Sequence, residues 1–403
     1  MLQVAEAQAR VLARLRPLPS EWVSLPQALG RVLAADLEAK RDHPPVAVSA
    51  MDGYAVRAAE TVGADRLFSV VGEAAAGDAI RQGVGPGEAV RIFTGGALPP
   101  GADAVMIQEN AVREDGGVRF SVAVEPGTFV RPAGLDFRRG WIGLEAGGLL
   151  DGRGLGLAAA LGHVWLPVRR RPRIGLLPTG NELRRPGETL LGAQIWSSNT
   201  VMLAGMLETW GAQSVDLGIA PDEGEALAAR VREAPGLDLL VTTGGASVGD
   251  YDLVRQVLGR EGMHLDFWKI AMRPGRPLLF GRLCEVPVLG FPGNPVSTAV
   301  CAIIFLRSAL QAMLGMTVGL RLSDAELGAD LAANDQRQDY MRARYEEGSG
   351  RRRVRTAPRQ DSSMLATFAL ADALVVRPPH DVARSIGETV PIVDMHDALD
   401  NLW

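Results

Sequence analysis

Apolar residues recur at helical spacing near the start of the chain, at Val4, Ala7, Val11, Leu12 and Leu15. The pattern breaks at His43, Pro44 and Pro45, where a helix cannot continue. From about residue 46 to 140 it changes to short alternating runs, such as 118–124 after the turn Asp115-Gly116-Gly117, which predict strands and hairpins in a β-rich lobe. Residues 141–168 return to glycine and leucine at helix-like spacing. They are expected to fold back on the start of the chain, so that 1–45 and 141–170 form one discontinuous domain around the lobe 46–140.

Beyond Arg173 the chain alternates strand-like apolar runs at 174–177, 215–220, 239–242 and 286–289 with helical patterns at 200–210, 225–231, 253–258 and 295–314. This alternation predicts a doubly wound, mostly parallel α/β domain over 171–318, whose ligands sit beyond the carboxyl ends of its strands. After about residue 320, runs at 340–345, 354–356, 374–376 and 389–393 predict a small C-terminal β domain, barrel-like, over 319–403. The expected fold class is therefore α/β plus β, multidomain.

Composition narrows the function classes. The 403 residues, 47% hydrophobic and 22% charged, are those of a folded chain of several domains. The net charge of −5 argues against a broad nucleic-acid surface. Arg351, Arg352, Arg353 and Arg355, beside Gly348, Ser349 and Gly350, read as a solvated hairpin, with a nucleic-acid patch as the alternative. Cys284 and Cys301 are the only cysteines and the five histidines are scattered, so no zinc spacing or disulfide framework is present. The longest apolar run, 299–306, is too short to span a bilayer, and the N-terminus lacks a signal-peptide pattern. A reducing, cytoplasmic setting without a membrane partner is expected.

Candidate chemistry lies in the loops after the strands. The run Thr242-Thr-Gly-Gly-Ala-Ser-Val-Gly-Asp-Tyr-Asp252 follows an apolar strand and opens a helix. Gly244, Gly245, Ser247 and Gly249 let the backbone approach a phosphate, and free N–H groups at a helix start favour an anion; a purely structural turn is the alternative. Asp250 and Asp252 satisfy the helix dipole but repel a phosphate, a conflict that Mg²⁺ bridging carboxylate and phosphate oxygens resolves. The alternative is an ordinary N-cap at Asp250 and a first-turn acid at Asp252. Glu182, in Pro178-Thr-Gly-Asn-Glu182, and Asp222, in Ala220-Pro-Asp222, follow two further strands, so three acids are expected on one sheet edge. Facing them, Phe291-Pro-Gly-Asn-Pro-Val-Ser297 predicts another helix start, with Asn294 as N-cap and Pro295 first in the helix. Lys269, Arg273 and Arg276, in the loop before it, are suited to neutralising oxyanions.

These segments, together with Ser49-Ala-Met-Asp-Gly-Tyr-Ala55, Arg91-Ile-Phe-Thr-Gly95 and Arg131-Pro-Ala-Gly-Leu-Asp136, resemble in order, over essentially the whole chain, the molybdopterin molybdenumtransferases, which include the bacterial MoeA proteins and the E domain of gephyrin. The resemblance implies a Mg²⁺-dependent conversion of adenylylated molybdopterin and molybdate into molybdenum cofactor and AMP. By motif match, Glu182, Asp222 and Asp252 would hold the metal and the phosphoanhydride beside Thr179. Lys269, Arg273, Pro292 and Pro295 would shape the pterin pocket, and Arg342 and Ser362 would hold molybdate. The family builds its site across a homodimer, so Asp52, Thr94, Arg131 and Asp136 would cover the α/β domain of the other subunit. Asn181 stands where an aspartate is usual, Trp196 and Ser197 where tyrosine and aspartate are common, and Arg276 where lysine is frequent. Two other readings are a non-catalytic molybdopterin-binding scaffold and a molybdopterin adenylyltransferase. Retained acids argue against the first, and the additional lobes against the second.

Overall fold

Near-continuous apolar strands require cover on both faces, and the α/β sheet meets that requirement. The computed structural model of the chain describes residues 1–63, 66–78, 82–245, 253–346, 352–400 and 402. Its central sheet runs Gln213–Asp216, Arg173–Pro178, Leu239–Thr243, Val286–Phe291, Leu279–Leu283, Met263–Trp268 from edge to edge. The first four strands are parallel and the last two antiparallel, so the sheet is mostly but not wholly parallel. The two antiparallel strands were not expected. The strand expected at 215–220 instead begins at Gln213 and ends at Asp216, because the chain turns at Gly218, whose φ is +78° and whose N–H bonds the Asp216 carboxylate at 2.8 Å.

One helical run, Pro295–Met313, passes behind this sheet with a π-helical turn at Ala302–Leu306. It is the one helix among the described residues long and apolar enough to cross a membrane, but 94% of its apolar window is buried in the protein's own core. The N-terminal helix Val4–Ala13 sets Val4, Ala7 and Val11 against this core and bonds Ile304 O through Gln8 Nε2 at 2.9 Å. The opening helix thus packs on the α/β core rather than on the layer that follows it in sequence.

That layer joins distant segments. Ser20–Ser24 pairs antiparallel with Trp165–Arg169, and Leu37–Glu38 with Ile142–Leu144, while the helix Gly152–Ala160 is capped by Asp151, which accepts from Gly154 N at 2.7 Å. The β-rich lobe is a six-stranded sheet ordered Ala104–Ile107, Gly53–Val56, Glu88–Ile92, Leu67–Ala74, Gly117–Phe120, Ala111–Glu114, with the expected hairpin turning at Gly116 (φ +93°).

At the C-terminus, Gln338–Tyr345, Arg353–Thr356, Ser323–Leu327, Thr389–Asp394 and Ala373–Arg377 pair in a ring that closes when the last strand returns to the first. The arginine run belongs to this barrel: Arg352 pairs with Asp394, Arg353 with Glu326 and Arg355 with Glu346. The tip of the expected hairpin, 347–351, lies outside the described residues. The barrel is tied to the α/β domain by the short strand Met272–Arg273, which pairs parallel with Gln338 and Asp339.

Phe305 is 1% exposed in the largest core cluster. Phe305→Ala should remove about 3–5 kcal/mol through lost burial and the cavity left behind. Calorimetry should show a lower melting midpoint for the transition that contains the α/β domain.

Candidate functional site

The carboxyl ends of the parallel strands open onto two adjoining cavities of about 940 Å³ and 400 Å³. Thr179 and Glu182 line both, so the turn after Arg173–Pro178 is their common wall. Asp222, Gly180 and Gly245 complete one side of the smaller cavity. The larger is walled by the Arg273–Pro277 loop, the Pro292–Pro295 turn and the barrel loop 360–363.

Glycine at the strand ends is a steric requirement. A Cβ on Gly244 (φ +88°) would lie 2.4 Å from Thr179 O, and one on Gly245 (φ +63°) 2.3 Å from Val254 Cγ2. The Thr243 turn can therefore press against the Thr179 turn only if neither residue has a side chain. Asn181 and Asp222 lock the neighbouring turn reciprocally: Asn181 Oδ1 accepts from Asp222 N at 3.0 Å, and Asp222 Oδ2 from Asn181 N at 3.3 Å. Asparagine at 181 makes this clasp without setting a second carboxylate against Asp222.

Of the three acids expected on one edge, Glu182 and Asp222 share the smaller cavity. Asp252, Asp250, Ser247 and Gly249 lie outside the described residues. Among the described residues no three His, Cys, Asp or Glu side chains form a preformed metal cluster. Two exposed carboxylates of hard oxygen donors fit the usual mode of Mg²⁺, which binds one or two carboxylates and completes its shell with substrate phosphate and water.

The basic loop divides its labour differently from the expectation. Arg273 Nε donates to Asp339 Oδ1 at 2.7 Å, its Nη2 pairs with the same carboxylate, and Asn334 and Asp335 take its remaining contacts. It is consumed in docking the barrel onto the α/β domain. Lys269 (φ +69°) lines neither cavity; its ammonium sits 3.6 Å from the centre of the Trp268 ring. Arg276 lines the larger cavity and has no ion-pair partner among the described residues, which leaves its guanidinium available to an oxyanion.

Asn294 occupies the N-cap position but makes no capping bond with its side chain, contrary to expectation. Its amide donates to Ser362 Oγ at 2.8 Å, and Val296 N donates to Ser362 O at 3.0 Å, so this helix start is seated on the barrel loop. Pro295 does take the first helical position, and Thr298 Oγ1 clamps Pro292 O at 2.6 Å. Ser362 lines the larger cavity, whereas Arg342, 2% exposed, lies behind it. Its guanidinium donates to Asp361 O at 2.7 Å and Gln360 Oε1 at 3.1 Å, and burial lowers its pKa. It fixes the loop that carries Ser362.

The four lobe residues line neither cavity of their own chain. They border the segment between His43 and Asp52. Asp52 accepts from Thr94 N at 2.7 Å and Thr94 Oγ1 at 2.8 Å, bonds that hold its carboxyl below the usual range. Arg131 pairs across from Val48, and Asp136 N donates to His43 O at 3.0 Å. Sequence reasoning did not single out Asn199, Gln360 or Arg337, all on the larger cavity. Only the fold brings the last two to it.

Known proteins match the chain over nearly its whole length. Residues 2–162 match the MoeA N-terminal region (domain I and II), 175–312 a probable molybdopterin binding domain, and 324–395 the MoeA C-terminal region (domain IV). The chain is 33% identical over 398 residues to a molybdopterin molybdenumtransferase of Haemophilus influenzae, covering 97% of this chain and 98% of that protein. It is 37% identical over 365 residues to molybdopterin molybdenumtransferase 2 of Mycobacterium tuberculosis, covering 87% and 89%. The crystal structure of the molybdopterin biosynthesis MoeA protein from Pyrococcus horikosii superposes with a TM-score of 0.87 at 28% identity, covering 98% of this chain and 99% of that one.

Asp335 is brought from an ordinary value near 3.8 to about 2, chiefly by the hydrogen bond from Arg337. Its folded pKa lies below its unfolded one, so its contribution to stability is present at neutral pH and is lost as pH falls from about 4 toward about 2. Asp335→Asn should flatten that part of the acid-unfolding curve, as circular dichroism would record.

Proposed function

Since this chain belongs to the molybdopterin molybdenumtransferase family, which serves molybdenum cofactor biosynthesis, we propose that it inserts molybdate into adenylylated molybdopterin and releases AMP in a Mg²⁺-dependent reaction. The observation that carries the proposal is the wall shared by the two cavities. Glu182 borders both the acidic, glycine-lined compartment and the one lined by Arg276 and Ser362. A phosphoanhydride lying across that wall would have its adenylyl side with Asp222 and its pterin side with the arginine.

In this reading Glu182, Asp222 and Asp252 would hold Mg²⁺, which when bound would neutralise phosphate charge and polarise the phosphorus. Arg276 meets the charge that develops on the oxyanion, with the buried Arg342 guanidinium behind the Ser362 loop adding to the positive potential. Gly244 and Gly245 bring the strand-end backbone close to phosphate oxygens. By their motif match, Asp52, Thr94, Arg131 and Asp136, none of which lines either cavity of its own chain, act on the site of the second subunit of a cytoplasmic homodimer.

Purified protein with Mg²⁺ and molybdate should convert adenylylated molybdopterin into cofactor and AMP, and should stop on chelation and recover on adding Mg²⁺ back. Asp252→Ala should abolish AMP release, and Glu182→Gln or Asp222→Asn should lower it about 10²-fold or more, as expected for transition-state contacts. AMP release unchanged in all three variants would remove the acids from the mechanism.

A further inference from the structure

Trp196 is the only aromatic side chain among the described residues lining the larger cavity. It is large, flat and 52% exposed, and its edge is tethered by its indole Nε1, which donates to Glu188 O at 3.0 Å. Its backbone is fixed as well. The strand Ile195–Trp196 pairs parallel with Leu183–Arg184, Ile195 N donates to Glu182 O at 2.8 Å, and Ser197 N to Arg184 O at 2.8 Å. The ring is therefore held in register with the acid on the shared wall. Nearby, Asn199 Nδ2 donates to Gly293 O at 2.7 Å, whereas its Oδ1 is buried with no donor among the described residues. A tethered, exposed aromatic face near a buried acceptor that lacks a donor is the chemistry that receives a planar heterocycle bearing N–H groups.

We propose that Trp196 is the stacking platform for the pterin ring of the substrate, with Asn199 Oδ1 accepting from an N–H of that ring. The inference rests on the molybdenum-insertion reading. The substrate also carries an adenine, and the division of charge between the cavities selects the pterin. Arg276, which has no ion-pair partner among the described residues, lines the larger cavity together with the paired Arg273 and Arg337, whereas the described residues lining the smaller include Glu182 and Asp222 and no arginine. Molybdate therefore belongs in the larger cavity. Because the metal ends on the dithiolene fused to the pterin, pterin and oxyanion must share a compartment. The adenylyl group is then left to the smaller cavity of about 400 Å³, which has no aromatic lining residue among those described.

Equilibrium dialysis with two separate probes, 6-hydroxymethylpterin and AMP, tests this on wild type, Trp196→Phe and Trp196→Ala. The pterin Kd should rise roughly tenfold in Trp196→Ala and less than about threefold in Trp196→Phe, which keeps a ring, the size expected for one stacking contact. The AMP Kd should not change in either variant. Asn199→Asp, which keeps an oxygen acceptor, should bind pterin better than Asn199→Leu. An AMP Kd that rises in place of the pterin Kd would assign the platform to adenine and overturn the proposal. So would an unchanged pterin Kd, a wild type that binds no pterin, or a Trp196→Ala protein that only loses dimer mass by light scattering. Turnover of the wild type alongside an unchanged pterin Kd would sink this inference alone. Absent turnover with the expected pterin series would sink the activity reading instead.

Discussion

Glu182 follows a parallel strand at the point where two cavities meet, and the surrounding turns have to bring backbone and carboxylate together there. An anion wants the amides and glycines at the ends of Arg173–Pro178 and Leu239–Thr243, whereas the acids repel it. The structure resolves this conflict locally. Gly244 and Gly245 remove every Cβ from the contact with the Thr179 turn and Val254, and the Asn181–Asp222 clasp aims one carboxylate without adding another. In the proposed reaction a cation shared with the substrate would complete the balance.

The rest of the molecule is arranged to hold that rim in shape. The helix Pro295–Met313 is buried almost throughout and starts at the rim, so its first turn inherits the rigidity of the core. The barrel reaches the same place through two attachments: Arg273 on Asp339, and Ser362 on Asn294. Asp339 is buried and raised by that burial against the lowering effect of Arg273, whose side chain stays 46% exposed. Losing the arginine would leave a buried carboxylate unpaired, which costs more than losing an exposed pair.

The strands buried on both faces were legible in the sequence because their runs are almost uninterrupted apolar residues, and the rule that ligands lie beyond strand carboxyl ends located Glu182 and Asp222. The antiparallel pair Met263–Trp268 and Leu279–Leu283 was not. His264 and Asp266 break the first run, and the second is separated from it by a loop rich in proline and arginine. The destination of the N-terminal helix was invisible too, since an apolar stripe states that a face is buried but not against what. The same limit explains Arg273 and Asn294. Their residue types suit an oxyanion and a helix cap, but Asp339 and Ser362, supplied by a distant part of the chain, take them for docking.

The central claim is that a divalent cation reconciles acids and phosphate at this rim. Anomalous diffraction from crystals soaked with Mn²⁺ and AMP tests it most directly. The account predicts a metal peak in the smaller cavity, coordinated by Glu182 and Asp222 and touching the phosphate of AMP. A phosphate bound there without metal, or a metal peak remote from both carboxylates, would contradict it.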